Sequence, residues 1–115
     1  MDLSERKKAQ VEQIKELSRL YGIEILAHYY QRREVKFFAD FVGGTRDILR
    51  RVSLGSKNAV VICGVSFMAE SARRLRPELP IILPREDASC PYSEGSGKDL
   101  VLKLKKKYPE YFIVA

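Results

Sequence analysis

The sequence predicts an α/β domain, a three-layer α/β/α sandwich built on a four-stranded parallel sheet. Two observations carry this. Short, almost wholly apolar runs recur at residues 23–27, 59–63, 81–83 and 111–114, as expected for strands covered on both faces. The segments between them repeat their apolar residues at helical spacing, and strands alternating with such helices build a parallel sheet with right-handed crossovers. With 115 residues, 45% hydrophobic and 31% charged, the chain suits one globular unit spanning residues 1–115. It shows no repeats, low-complexity tracts or linkers.

Each element has its own local reason. Val11, Ile14, Leu17, Leu20 and Tyr21 share a helical face, and Gly22 is placed to end that helix in a left-handed conformation. The first strand follows at once. Val35, Phe38, Ala39 and Val42 predict a second helix stopped by Gly43 and Gly44. Thr45 then caps a third helix bearing Ile48, Leu49 and Val52, closed by Gly55. After the strand at 59–63, Ser66 caps a helix with Phe67, Met68, Ala72 and Leu75, which ends before Pro77. The strand at 81–83 lies between Pro80 and Pro84. Ser96 and Asp99 have capping-box spacing for a last helix with Leu100, Val101, Leu104 and Tyr108. Lys105, Lys106 and Lys107 suit its final turn, and Pro109 stops it.

Composition excludes several function classes. No apolar run approaches the roughly 18–20 residues that span a bilayer, so no membrane role is expected. The first ten residues are charged and lack a secretory signal's apolar stretch. Two cysteines, Cys63 and Cys90, do not form a disulfide scaffold and point to the reducing cytoplasm. One histidine and two cysteines cannot complete a tetrahedral Cys/His zinc site. The net charge of +6 is dispersed over several short clusters, with no interleaved aromatic platform. It reads as a solvated surface rather than a nucleic-acid groove, with an anionic substrate as the other explanation.

The fold class also predicts where function lies, because open parallel sheets bind ligands beyond the carboxyl ends of their strands. Three segments fall there: His28-Tyr29-Tyr30, Gly64-Val65-Ser66, and the loop from Pro84 to Cys90. His28 and Tyr30, two residues apart in extended chain, point to one side. They suit either proton transfer and carboxylate binding or a simple hydrogen-bonded strand end. Gly43-Gly44-Thr45 reads as a helix stop and cap, or alternatively as an anion-binding helix start. Ser66 can bond its own helix or a ligand carboxylate. Phe67 and Met68 read as packing residues, and Glu70 as a first-turn dipole partner. Cys63, ending a buried strand, reads as an inert small hydrophobe; Cys90, in a polar loop, is the better ligand or nucleophile.

Taken together, these segments resemble a known family. Ala27-His28-Tyr29-Tyr30-Gln31, Glu34-Val35 and Ala39-Asp40-Phe41-Val42-Gly43 resemble the opening of quinolinate synthase. The stretch from Cys63-Gly64-Val65-Ser66-Phe67-Met68-Ala69-Glu70-Ser71-Ala72 through Leu83-Pro84 to Cys90 continues the likeness in order. The likeness covers nearly the whole chain but only the first third of the family's usual length. It implies one of three similar α/β domains around a central site, where a 4Fe-4S cluster is held by one cysteine per domain. It implies condensation of iminoaspartate with dihydroxyacetone phosphate to quinolinate, for NAD biosynthesis. By position, Cys90 is then the cluster ligand, and His28 and Tyr30 are catalytic and substrate-binding. Thr45 and Ser66 are then substrate-binding, standing where the family usually has serine and often histidine. Gly44 replaces a usual aspartate, Arg33 a common proline, and Pro91 follows Cys90. The expected partners are further quinolinate-synthase domains or copies in a homo-oligomer, the 115-residue monomer alone being inactive. The alternative is a non-catalytic domain that binds dicarboxylate or phosphate anions or acts as an assembly module.

Overall fold

The computed structural model describes residues 4–91, 95 and 97–114. The order of elements is α1 (Glu5–Tyr21), β1 (Ile23–His28), α2 (Arg33–Phe38), β2 (Phe41–Gly43), α3 (Thr45–Leu54), β3 (Ala59–Cys63), α4 (Ser66–Leu75), β4 (Ile81–Ile82) and α5 (Lys98–Lys107). The four strands form one sheet in the order β2-β1-β3-β4, and every pair is parallel. The expected four-stranded parallel sheet is therefore present, but its membership differs from the expectation.

Alternation along the strands sorts side chains to two faces. Leu26, Val60 and Ile62 pack with Ile48 and Val52 of α3 and with Met68 and Ala72 of α4. On the other face Ile25, Ala27 and Cys63 meet Ile14 of α1 and Val35 and Phe38 of α2. Helices thus cover both sides, giving the three layers that a buried parallel sheet requires.

Two strand expectations are corrected. Val42 was placed on the second helix, yet α2 ends at Phe38 and Phe41–Gly43 is an edge strand beside β1. Asp40 makes the break: its backbone N–H donates to the Ile25 carbonyl, and its carboxylate accepts the Ile25 N–H at 2.7 Å. That exchange pins the chain alongside β1 and ends helical spacing at Ala39. Residues 111–114, expected as the fourth strand, pair with no strand among the described residues; Phe112 is 96% exposed. An apolar run becomes a strand only where an edge receives it.

The helix ends mostly follow the sequence. Gly22 adopts φ +66° and its N–H reaches the Arg19 carbonyl, closing α1 as expected. Gly55 closes α3, and α5 stops before Pro109. The N-caps, however, are Gly44 and Val65, so Thr45 and Ser66 are the first helical residues rather than caps. The cap of α5 is Gly97, and the Ser96 expectation lies outside the described residues. Glu70 sits past the first turn of α4 and is not a dipole partner there. Helix α5 buries none of its residues. The radius of gyration, 17.4 Å, exceeds the roughly 13 Å of a compact chain this long.

Candidate functional site

His28, Thr45 and Ser66 gather where the strands end. His28 is the last residue of β1, Gly43 of β2 and Cys63 of β3, while Thr45 and Ser66 begin α3 and α4. The register sets His28 opposite Gly43 and Ala27 opposite Cys63. Gly64 therefore lies beside His28: a Cβ placed on it would be 3.8 Å from the His28 Cβ and only 2.9 Å from the Met68 sulfur. A side chain at 64 would have to move Met68, which is 1% exposed, so it is the packing of Met68 rather than the contact with His28 that favours glycine there. Met68 is a packing residue as expected, whereas Phe67 is exposed.

The new strand changes the meaning of Gly43-Gly44-Thr45. Rather than a helix stop followed by a cap, it is a strand-to-helix turn adjoining His28. Tyr29 donates its N–H to the Gly43 carbonyl at 3.0 Å, carrying the β1–β2 ladder one step beyond the strands. Two helix starts, α3 and α4, now meet the same edge, and the dipoles of both favour negative charge, with the first N–H of α4 taken by the Ala88 carbonyl. The Thr45 and Ser66 hydroxyls have no hydrogen-bond partner among the described residues, since neither caps its helix. Both are free to meet a ligand.

His28, Tyr29 and Tyr30 form a cluster of three rings. The His28 and Tyr29 centroids are 4.5 Å apart and nearly stacked; Tyr30 lies 4.8 Å from His28 and 4.4 Å from Tyr29, tilted to both. The Tyr30 N–H donates to His28 Nδ1 at 3.2 Å. Partial burial lowers the His28 pKa from its ordinary value, because desolvation disfavours the charged ring. The adjacent Tyr30 phenol pushes that of Tyr29 up. No separate role is expected for Tyr29 from sequence, although it stands between His28 and Tyr30.

The loop after β4 reaches the same edge. The Ser66 N–H donates to the Ala88 carbonyl at 2.8 Å, tying the loop to the start of α4 two residues before Cys90. Arg85 and Asp87 pair within the loop, and Arg85 holds the Asp87 carboxyl below its usual range. Cys90 is a partly exposed free thiol. Cys63 is buried, and desolvation pushes its thiol pKa up.

Among the described residues no three His, Cys, Asp or Glu side chains converge on a point that could hold a metal ion. One exposed thiol at a ligand-binding edge does fit a single corner of an iron–sulfur cluster. A cavity of about 500 Å³ lies at the opposite, amino edge beside Glu24, Arg51 and Lys57. It holds no strand carboxyl end, and the buried Glu24 carboxylate is already paired with Arg51. No helix among the described residues is long and apolar enough to cross a membrane.

Known proteins share this arrangement of sequence. Residues 12–115 match the family model described as quinolinate synthetase A protein. The quinolinate synthase of Caldicellulosiruptor saccharolyticus is 41% identical over 102 residues, 89% of this chain and 34% of that protein. That of Aquifex aeolicus is 37% identical over 120 residues, 98% of this chain and 37% of its own. That of Caldicellulosiruptor bescii is 44% identical over 90 residues, 78% and 30% respectively. The chain spans about a third of the length of the curated relatives it matches. With a family match over nearly all its residues, the chain belongs to the quinolinate synthetase A protein family.

Proposed function

We propose that this chain supplies one wall of a quinolinate synthase site, which condenses iminoaspartate with dihydroxyacetone phosphate to quinolinate in cytoplasmic NAD biosynthesis. The observation that carries the reading is the single edge shared by His28, Tyr30, Thr45, Ser66 and the Cys90 loop. Both substrates carry anionic groups, which suit the starts of α3 and α4 and the unengaged Thr45 and Ser66 hydroxyls. His28 and Tyr30 bind substrate and provide the imidazole and phenol for proton handling. A 4Fe-4S cluster, when bound, supplies an open iron that acts as a Lewis acid on a substrate oxygen. Cys90 offers one thiolate to it, and the remaining ligands come from further domains or other copies. The relatives' greater length and the exposed apolar residues of α5 and 111–114 support such partners.

Anaerobic reconstitution with iron and sulfide tests this, using the chain alone and mixed with the missing domains of a relative. The visible absorption of a cluster is expected in the mixture, is lost in Cys90→Ala and is kept in Cys63→Ala. Cluster retention in Cys90→Ala overturns the ligand assignment, and no cluster in any mixture overturns the enzymatic reading. The second reading, a non-catalytic anion-binding domain, rests on Gly44, which stands where the family usually has aspartate. It predicts calorimetric binding of a dicarboxylate or phosphate to the iron-free chain, with no cluster formed in any mixture.

A further inference from the structure

We propose that His28 serves its ligand as a fixed hydrogen-bond donor through Nε2, with Tyr29 as the positioning residue that holds the imidazole. The inference rests on the proposed function only for the identity of the ligand, an anionic or carbonyl oxygen. The disposition of the ring comes from this chain's own contacts.

The first contact sets the tautomer. The Tyr30 N–H approaches Nδ1 at 3.2 Å, and an N–H donor can face only a nitrogen without a proton. In the neutral ring the proton then resides on Nε2. The bond runs from residue i+2 back to the side chain of residue i, as in the local turns made by Asp and Asn, so it needs no distant partner. Nε2 has no hydrogen-bond partner among the described residues and is left to donate.

The second contact fixes the ring plane. Tyr29 lies 4.5 Å from the imidazole with 24° between the planes. Tyr29 is itself held, its N–H on the Gly43 carbonyl and its Cε1 3.4 Å from where a Cβ at Gly44 would stand. Gly44 has φ −80°, which any residue adopts, so its backbone does not demand glycine. Alanine fits at van der Waals contact; a longer side chain presses on the ring.

This division of labour has a chemical consequence. To accept a proton at Nδ1, the imidazole would have to give up the Tyr30 N–H, and Nε2 already carries one. His28 in this arrangement polarises or orients a ligand oxygen and does not act as the general base. Proton abstraction then falls to another group, with the Tyr30 phenol at hand.

The chain has a single histidine, so its imidazole signals are unambiguous. Long-range ¹H–¹⁵N spectra of the iron-free, substrate-free chain at pH 7.5 report which nitrogen carries the proton. The Nε2–H form is expected in excess on the order of tenfold, the worth of one good hydrogen bond. Tyr29→Phe is expected to keep that pattern and the upfield ring-current shift of the imidazole protons. Tyr29→Ala is expected to lose the ring-current shift and move the tautomer ratio toward that of a free imidazole, with the backbone amide spectrum otherwise unchanged. An Nδ1–H pattern in the wild type, or imidazole signals unmoved in Tyr29→Ala, overturns the proposal. A Tyr29→Ala chain that fails to fold leaves the wild-type tautomer and the Tyr29→Phe spectrum to decide it. Failure to assemble a cluster would sink the proposed function and leave this result standing.

Discussion

Replacing Ser66 with proline separates the anchoring of the Cys90 loop from the stability of the fold. Ser66 is the first residue of α4, a position where proline is well accommodated because its missing N–H lacks an intrahelical partner anyway. Val65 before it has φ −80° and ψ 154°, the extended conformation that a residue preceding proline prefers. The backbone therefore needs no adjustment. What is lost is the 2.8 Å bond from the Ser66 N–H to the Ala88 carbonyl, the one backbone hydrogen bond among the described residues that ties residues 84–91 to α4.

A single such bond contributes about 1 kcal/mol net, and proline returns roughly 0.4–1 kcal/mol by restricting the unfolded chain. Global stability should thus change by less than about 1 kcal/mol. Local opening of the loop, which gains nothing from the proline, should become about fivefold more frequent. Thiol labelling reads this directly, because one free cysteine lies in the loop and the other is buried in β3. Expected is a roughly fivefold faster reaction at Cys90, the Cys63 rate unchanged, and wild-type behaviour in Ser66→Ala, which keeps the N–H. An unchanged Cys90 rate in Ser66→Pro, or parallel acceleration at Cys63, would falsify the claim that this bond anchors the loop.

Other expectations follow from the packing and the titrating groups. Gly22→Ala combines a left-handed φ of +66° with a Cβ only 2.6 Å from the Asn58 amide, which now donates to the Tyr21 carbonyl. It should cost about 2–3 kcal/mol in urea unfolding, and a loss below 1 would show that the cap relaxes freely. Leu26→Ala, at a site with 0% exposure, should cost about 3 kcal/mol, whereas Leu104→Ala on α5 should stay within about 0.5 kcal/mol in the isolated chain. Equal losses at the two sites would contradict the placement of the core. The lowered His28 pKa adds stability that is present above its unfolded value near 6.5 and is lost as pH falls through the folded one, so His28→Gln should flatten the decline below about pH 6.5. The raised Cys63 pKa acts in the opposite sense: its contribution is present below the unfolded thiol value and is lost as pH rises through the folded one. Cys63→Ala should therefore lessen the fall in stability above about pH 8.5.

The parts of this fold visible in sequence are those determined by local patterning. Gly22 after a helical stripe, an apolar run, a glycine and then another helix need only nearby residues to be read, and α1, β1, β3 and α4 appear where expected. The two corrected strands both differ from expectation because a strand is defined by what lies beside it, whereas the corrected caps of α3 and α4 are shifts of a single residue. Val35, Phe38, Ala39 and Val42 satisfy helical spacing as well as any true helix, yet Asp40 exchanges hydrogen bonds with Ile25, 15 residues earlier in the chain. Periodicity carries no information about that partner. Conversely, residues 111–114 have the composition of a strand and no described edge to join.

The same limit explains what was seen and unseen at the candidate site. Its residues were legible because the carboxyl-edge rule needs only the order of strands and helices, and His28, Thr45 and Ser66 fall at that edge. The relation between His28 and the Gly43-Gly44-Thr45 turn was not, since it exists only through β2. Once Phe41–Gly43 joins β1, His28 faces Gly43 across the ladder, Tyr29 settles against Gly44, and the start of α3 comes beside the imidazole. One misassigned three-residue strand thus hid the contact that fixes the orientation of the only histidine. Tyr29 has no chemistry that sets it apart from Tyr30 in sequence: its effect is exerted by where its ring lies, and that is decided by a pairing of residues 15 apart along the chain.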